Sequence, residues 1–301
     1  MENLATQPVV GIIGGSGIYD IDGLEDTRWV TVDTPFGPPS DQLLTGALAG
    51  QRVVFLPRHG RGHRLSPSEL PFRANIYALK ALGVTEVLSL SACGSLREEL
   101  PPGTFVLADQ FIDRTFARAK SFFGDGLVAH VSMAHPVCAR LGASLEQAAR
   151  ALDIPHRRGG TYLVMEGPQF STLAESRLYR SWGCDVIGMT NMPEAKLARE
   201  AELCYATVAM VTDFDCWHPD HDAVTVDQVV ATLLHNAQTA RALVKDVLPR
   251  LAAQATPCTH GCQRALDSAF ITAPAARSPE QLERLAPLVA RALGRDRGQA
   301  P

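Results

Sequence analysis

Continuous apolar runs with the length and composition of buried β-strands recur along the chain. They are Val9–Ile13, Arg52–Leu56, Glu86–Ser91, Thr104–Ala108, Thr161–Met165, Asp185–Met189 and Tyr205–Val211. Between several of them, apolar residues recur at helical spacing, over Phe72–Leu82, Val137–Leu152, Thr172–Trp182 and Pro193–Glu202. This alternation of strands and helices predicts an α/β protein.

The last third of the chain has a different organisation. A long helix is predicted over Val226–Val247 and a last helix near Pro279–Leu293. No linker or internal repeat divides the first 250 residues, which indicates one compact domain over residues 1–251. The composition changes from Ala252 onward, so residues 252–301 are interpreted as an appended segment with a helix, packed on the same domain.

The composition limits the kind of ligand. Hydrophobic residues make up 46% of the chain, charged residues 20%, and the net charge is −4. This balance gives no electrostatic footprint for nucleic acid or for an anionic membrane. No apolar run approaches the roughly 20 residues that cross a bilayer, and MENLATQP lacks the features of a signal peptide. We therefore expect a cytoplasmic protein with a small ligand.

The seven cysteines are Cys93, Cys138, Cys184, Cys204, Cys216, Cys258 and Cys262. Most are expected to be free core thiols in a reducing cytosol. The segment CTHGC, with His260 between the last two cysteines, could contribute to a metal site. Zinc takes four ligands and no second cluster is evident in the sequence, so no metal is expected. Cys93 has no base nearby in the sequence and is not expected to be a nucleophile.

The first strand ends in a glycine-rich loop, PVVGIIGGSGIYD over residues 8–20. Such a loop brings backbone N–H groups close to a ligand, and anions are the usual guests. The spacing fits neither common phosphate fingerprint. The dinucleotide pattern counted from Gly15 would require glycine at Asp20, and the P-loop pattern requires a lysine that is absent. Phosphate is still the first candidate ligand.

Two polar segments follow strands immediately. RHGRGH places Arg58 and His59 at the carboxyl end of a strand, where ligands bind in open α/β sheets. Both side chains can supply donors to phosphate oxygens, and a solvated basic turn is the alternative. SACGS over 91–95 is interpreted as a loop of small residues in which the Ser91 hydroxyl could contact a ligand.

Three further segments at strand ends combine apolar contact residues with polar ones: MEGPQF over 165–170, IGMTNMPE over 187–194 and VTDFDCW over 211–217. If the last strand continues, Asp213 and Asp215 point to the same side, and their repulsion would raise the pKa of one of them. That arrangement suits proton donation. The alternative is a solvated turn that caps the following helix. No second carboxylate pair is evident, which disfavours a two-acid glycosidase mechanism.

Together these motifs resemble the trimeric purine nucleoside phosphorylases and, within them, the enzymes that cleave 5′-methylthioadenosine. The resemblance covers about residues 8–250 and rests on GIIGGSGIYD, DTPFGPPSD, RHGRGH, NIYALKALG, ACGSLREEL, DQFIDRT, EGPQFSTLAES, GMTNMPEA and TDFDCW. It implies a central mixed twisted sheet flanked by helices and a homotrimer, which could pair into a dimer of trimers. It also implies reversible phosphorolysis in purine and methionine salvage, a glycosyltransferase reaction with inorganic phosphate as co-substrate and no cofactor.

The resemblance also assigns roles to individual residues. It implies that phosphate binds among Ser16, Arg58, His59, Ser91, the Ala92 amide and Thr190. For the nucleoside it implies Phe170 against the purine, Met189 under the ribose, an apolar 5′ pocket at Val226, Val229 and Val230, and His130 from a neighbouring subunit. Asp213 would protonate the purine at N7, and Asp215 would face the edge of the base.

Two positions depart from the pattern of the animal enzymes: Gln169, where arginine is common, and Gly188, where asparagine is found. They leave open a broad purine nucleoside phosphorylase or a methylthioinosine phosphorylase. A nucleosidase that uses water and a non-catalytic nucleoside sensor are alternatives from other classes. The tail resembles that of prokaryotic members, some of which form disulfides there, and the pairing of Cys258 and Cys262 stays open.

Overall fold

The fold is described from a computed structural model over residues 8–15, 17–18, 20–219, 226–254, 258 and 260–294, with only the backbone described for 226–231. Within these residues eleven strands form one mixed sheet. The strands are β1 Val10–Gly14, β2 Leu24–Val30, β3 Leu43–Leu48, β4 Gln51–Pro57, β5 Glu86–Ser95, β6 Phe105–Leu107, β7 Gln110–Asp113, β8 His156–Arg158, β9 Thr161–Val164, β10 Val186–Gly188 and β11 Cys204–Asp213.

Helices cover both faces of the sheet. They are α1 Phe72–Ala81, α2 Ala139–Ala151, α3 Leu173–Ser181, α4 Asn191–Glu200, α5 Val226–Ala253, α6 Pro279–Arg284 and α7 Ala286–Val289, with short 3₁₀ turns at Cys262–Arg264 and Pro274–Ala276. Alternate residues of β1 enter two different apolar clusters, because successive side chains of a strand point to opposite faces. Ile13 packs in the cluster that includes α1, α4, α6 and α7, and Ile12 packs in the cluster that includes α2 and α5.

The sheet opens beside β5. Along one edge β5 pairs with β11 for almost its whole length, from Glu86 to Gly94. Along the other edge it pairs with β1 only as far as Ser89, and with β10 only from Gly94 onward. Residues 90–93 therefore have no strand partner on that edge among the described strands. This opening lies where β1 ends and where β10 leads into α4.

The α/β architecture and each strand that the apolar pattern predicts are confirmed, within about two residues at either end except for β5, which continues from the predicted end at Ser91 to Ser95. The pattern misses β2, β3, β7 and β8, and β2 and β8 contain no fully buried residue. SACGS is not a loop, as expected, because β5 continues through it to Ser95. The expected last helix is divided at Leu285, because Pro287 has no N–H to donate to the carbonyl of Glu283 in the preceding turn.

The long helix α5 runs to Ala253, two residues past the end predicted for the main domain at residue 251. The following segment packs on the same body, because Cys258 and Cys262 are buried in the same apolar cluster as α2 and α5. Among the described residues, none of the helices is both long enough and apolar enough to pass through a bilayer.

Candidate active site

The opening beside β5 collects most of the residues that are predicted to bind phosphate. Ser91 and Ala92 lie on β5 within it. Arg58 follows β4, and its backbone N–H donates to the carbonyl of Gly14 at 2.9 Å, at the end of β1. Thr190 follows β10 and is the N-cap residue of α4. Ser16 lies outside the described residues. The ends of β1, β4 and β10 thus meet beside residues 90–93 of β5, as expected for the carboxyl ends of strands in an open α/β sheet.

Arg58 is buried and already paired within the protein. Its Nε donates to Glu194 at 3.0 Å, Nη1 to the carbonyl of Leu90 at 2.9 Å, and Nη2 to Ser89 at 2.6 Å and more weakly to Glu194 at 3.4 Å. Burial acts to lower the pKa of the guanidinium, but the Glu194 carboxylate has a larger effect in the opposite direction, so the pKa of Arg58 is raised overall. These contacts occupy four of the five N–H groups, so one Nη1 hydrogen is left for a ligand. The sequence-based interpretation assumed a guanidinium that is open to phosphate.

His59 is held as a neutral ring. Nδ1 lies 2.8 Å from the carbonyl of Leu65 and must carry the proton, because a carbonyl only accepts. The ring stacks on His63, with the centroids 4.2 Å apart. Burial lowers the pKa of His59 to about 4, with smaller contributions from the charges of Arg58, His63 and Arg118. At neutral pH the Nε2 atom can therefore only accept a hydrogen bond, for instance from a P–OH group, whereas the sequence analysis expects His59 to donate one.

Asn191 organises the hydroxyl groups around the opening. Its side-chain carbonyl accepts from Ser91 at 3.1 Å and from Thr190 at 3.4 Å. Its NH₂ group donates to Tyr205 and to Thr207, each at 2.7 Å. Tyr205 in turn donates to Glu194 at 2.8 Å, which closes the network with Arg58. The network fixes Ser91, Thr190 and Arg58 relative to one another.

The two aspartates at the end of β11 do not point to the same side of a continuing strand. The strand ends at Asp213, and Asp215 lies in the following turn with φ 54°, in the left-handed region. Asp213 is half-buried; its Oδ2 accepts from the Thr212 hydroxyl at 2.7 Å and its Oδ1 from the backbone N–H of Asp215 at 2.8 Å. Burial raises the pKa of Asp213, and the negative charge of Asp215 raises it further.

Asp215 is buried as well, and its Oδ2 is one of the buried polar atoms with no hydrogen-bond partner. Burial raises the pKa of its carboxyl, while the hydroxyls of Ser176 and Ser171 act in the opposite direction. Ser171 was not singled out in the sequence. An unsatisfied carboxylate oxygen of this kind can accept a hydrogen bond from a donor such as an exocyclic amine.

The residues predicted to contact the sugar and the base lie on two loops that Arg118 joins. Arg118 donates from Nη1 to the carbonyl of Met189 at 2.7 Å and from Nη2 to the carbonyl of Glu166 at 2.6 Å. A Cβ at Gly167, where φ is 70°, would lie 2.5 Å from the Met189 sulfur, so only glycine allows this approach. Phe170, on the second loop, is 47% exposed and its ring is accessible to a ligand.

Gly188, which departs from the animal pattern, is also explained by packing. A Cβ at this position would overlap the hydroxyl of Tyr162 on the neighbouring strand β9. Tyr162 is fully buried. Its hydroxyl therefore occupies the space that a side chain at position 188 would need.

Of the remaining predicted residues, His130 lies apart from the site just described, and the valines of α5 are described only by their backbone. His130 is exposed, and it lines a cavity of about 360 Å³ with His135, Arg199, His260, Arg264 and Asp267, none of which belongs to the site described above. The backbone of Val226, Val229 and Val230 lies in the first turns of α5, and their side chains are outside the described residues. Whether these residues complete the site stays a prediction.

Comparisons with known proteins identify the family of the chain. Residues 9–249 match the phosphorylase superfamily. The chain is 66% identical to the S-methyl-5′-thioadenosine phosphorylase of Rhodospirillum rubrum over 98% of this chain and 100% of that protein. A methylthioadenosine phosphorylase from an Antarctic soil metagenomic library superimposes with a TM-score of 0.89 at 49% identity, over 94% of this chain and 99% of that chain.

The structure of a third relative contains a bound nucleoside. A variant of the adenosine/methylthioadenosine phosphorylase of Schistosoma mansoni, solved in complex with methylthioadenosine, superimposes with a TM-score of 0.79 at 39% identity, over 85% of this chain and 95% of that chain. Sequence and structure relatives of this extent leave no doubt about the family: the chain belongs to the phosphorylase superfamily.

Proposed function

We propose that the chain catalyses the phosphate-dependent cleavage of 5′-methylthioadenosine to adenine and 5-methylthioribose 1-phosphate. The observation that carries the proposal is the Asp213 carboxyl, whose pKa burial raises and which pairs along β11 with Gly94 of β5, directly beyond the opening. The names of the relatives from R. rubrum and S. mansoni support the same substrate.

The departing base requires an acid. As the glycosidic bond lengthens, the purine gains negative charge and the sugar becomes oxocarbenium-like, so a proton delivered to N7 stabilises the transition state. A carboxyl with a raised pKa retains its proton at a higher pH than an exposed aspartate does. The protonated Asp213 donates to N7, and a carboxylate oxygen accepts from the 6-amino group. A 6-oxo purine cannot donate that second hydrogen bond, so adenine is favoured.

The attacking phosphate requires a fixed anion site. Glu194 and the Leu90 carbonyl fix the position of Arg58. Its guanidinium supplies a buried positive charge and one remaining N–H. Ser91 and Thr190 supply hydroxyls that Asn191 orients. The neutral His59 accepts from the phosphate P–OH through Nε2. We include Ser16, the Ala92 amide, Met189 under the sugar and Phe170 against the purine in the same proposal.

The proposed reaction involves phosphate and the nucleoside as its two substrates. Phosphate is the second substrate, and each step uses only side chains of the protein, so the reaction needs no cofactor. The separation of His130 from the rest of the site within one chain supports a homotrimer in which His130 reaches the 5′ pocket of a neighbouring subunit.

The proposal is tested by measuring base release from methylthioadenosine, adenosine, methylthioinosine and inosine, each with and without phosphate. We expect methylthioadenosine to give the highest kcat/KM and its cleavage to require phosphate. Adenosine is the second candidate substrate, because the S. mansoni relative is named for both. Faster cleavage of the 6-oxo nucleosides would overturn the assignment of the base. Full-rate cleavage without phosphate would identify a nucleosidase.

A further inference from the structure

Four cysteines that are far apart in the sequence lie together in the fold. They are Cys138, Cys204, Cys258 and Cys262, and their Sγ atoms all lie within 4.8 Å of one another. The Sγ atom of Cys258 is 3.5 Å from that of Cys138 and 3.5 Å from that of Cys262. All four residues are buried, and all seven cysteines of the chain are free thiols. We refer to these four residues as the cysteine cluster.

The spacing of the sulfur atoms suits a tetrahedral metal ion. Zinc binds thiolates at about 2.3 Å, which places the sulfur atoms of a tetrahedral site about 3.8 Å apart. The distances in the cysteine cluster span this value. The last two ligands are separated by three residues in CTHGC, within the short spacing that zinc ligands commonly have. The sequence shows only this pair, and the fold supplies the two other ligands.

Each cysteine is placed by a defined element. Cys138 is the N-cap residue of α2, where the helix dipole favours a thiolate. Cys204 is the first residue of β11. Cys258 and Cys262 are on either side of a turn in which Gly261 has φ 70° and donates its N–H to the carbonyl of Cys258 at 3.3 Å. The left-handed turn brings both tail sulfurs to the same side.

Two arginines provide positive charge beside the cluster. Arg140 Nη2 lies 3.9 Å from the Cys204 sulfur, and Arg199 lies close enough to Cys262 for its charge to act on that thiol. Nε and Nη1 of Arg140 and Nε of Arg199 are buried without a hydrogen-bond partner. Buried cationic N–H groups of this kind are costly beside four neutral thiols, but they stabilise a cluster that carries net negative charge.

We propose that the cysteine cluster binds one structural zinc ion. Binding replaces four S–H bonds by four Zn–S bonds and releases four protons to solvent, with no change of oxidation state. The resulting site carries a charge of −2 (one Zn²⁺ and four thiolates) beside two positive charges, those of Arg199 and of Arg140, the second of which also pairs with Glu86. It requires no open coordination position, because it has no role in the chemistry of the nucleoside.

The zinc would attach the C-terminal segment to the main domain. That segment also pairs with the loop that contains His130: the His130 N–H donates to the carbonyl of Ala269 at 2.8 Å, and the Ile271 N–H donates to the carbonyl of Val128 at 2.9 Å. Loss of the metal is therefore expected to loosen the position of His130 and to lower the thermal stability, while Asp213 and the phosphate residues keep their places.

The test is metal analysis of the purified full chain, combined with a thiol count. We expect about one zinc per chain in the native protein, and seven titratable thiols after denaturation with a chelator. Titration of the native protein with a mercurial should release zinc to a colorimetric indicator as the cluster thiols react. Replacement of the zinc by Co²⁺ should give the visible absorption of a tetrahedral thiolate site.

Variants make the assignment specific. Cys258→Ser and Cys262→Ser should lose most of the zinc, whereas Cys184→Ser, which removes a buried cysteine outside the cluster, should retain it. Seven thiols without bound metal would overturn the proposal. Fewer than seven thiols without metal would indicate disulfides among the same residues and would overturn it as well. The release of zinc from the unmodified chain decides the question even if a variant does not fold.

Discussion

The backbone N–H of Asp215 donates to Oδ1 of Asp213 over 2.8 Å, while the hydroxyls of Ser176 and Ser171 lie close enough to the Asp215 carboxyl to lower its pKa. The two acids therefore have different surroundings although one residue separates them. Asp213 has both oxygens engaged from its own turn, and Asp215 keeps one buried oxygen without a partner. We assign proton donation at N7 to Asp213, which thereby also reads the edge of the base, and a further contact with that edge to Asp215.

Replacing Asp213 by Asn should lower kcat for methylthioadenosine by about 10²- to 10⁴-fold, because an amide cannot transfer a proton to N7. The ratio of kcat/KM for methylthioadenosine to that for methylthioinosine should also fall, by about tenfold or more, since the amide fits a 6-oxo group better. Steady-state kinetics with both nucleosides measure the two effects. Asp246→Asn, in a surface ion pair of α5, is the control. An unchanged ratio would show that Asp213 does not recognise the base.

Replacing Asp215 by Asn should move the alkaline limb of kcat/KM to lower pH. The negative charge of Asp215 contributes to the raised pKa of Asp213, so its removal lowers the pH at which the acid loses its proton. The acid must be protonated to act, and activity is therefore lost earlier as the pH rises. The measurement is a pH profile of the variant beside that of the wild type. A limb that stays in place or moves upward would argue against Asp213 as the acid.

Replacing Glu194 by Gln should destabilise the protein by about 3–5 kcal/mol, because it leaves the buried Arg58 without its counter-charge. The KM for phosphate should rise, since the guanidinium loses the contact that holds it beside Leu90. Urea unfolding and phosphate titration measure these effects. The matched control is Glu146→Gln in the exposed pair with Arg150, which should cost at most about 0.5 kcal/mol. Equal effects of the two substitutions would contradict this role.

Glu200 should make the stability depend on pH. Burial raises the pKa of its carboxyl from 4.5 to about 7, against the hydrogen bonds from Phe122 and Ser121. The raised folded-state pKa means that its contribution is fully present below pH 4.5 and is lost as the pH rises through 7. The loss amounts to about 3 kcal/mol. Urea unfolding at pH 5 and pH 8 should show this loss in the wild type and not in Glu200→Gln, and a surface control, Glu283→Gln, should behave as the wild type. The same pH dependence in Glu200→Gln would assign it to another group.

The sequence predicts the parts of the site that occur at strand ends. Arg58, His59, Thr190 and Asp213 all follow or end a buried strand, and the carboxyl ends of such strands meet at one edge of the sheet. The local pattern therefore identifies them without knowledge of the strand order. It fails for β2 and β8, because strands without fully buried residues do not produce an apolar run.

The partners of these residues could not be predicted in the same way. Glu194 lies 136 residues from Arg58 along the chain, and Cys138 lies 120 residues from Cys258. Only the tertiary fold brings such pairs together. The turn at Asp215 was only the alternative in the sequence analysis, for a different reason: aspartate adopts positive φ only occasionally, so an alternating pattern gives no sign that the strand has ended.

The central claim is that phosphate binds at the opening beside β5 with Asp213 facing N7 of the base, and a crystal structure with adenine and phosphate tests it most directly. The account predicts the anion in contact with Arg58, Ser91 and Thr190, and an oxygen of Asp213 within about 3 Å of N7. An anion bound elsewhere, or an Asp213 carboxyl turned away from the base, would contradict it.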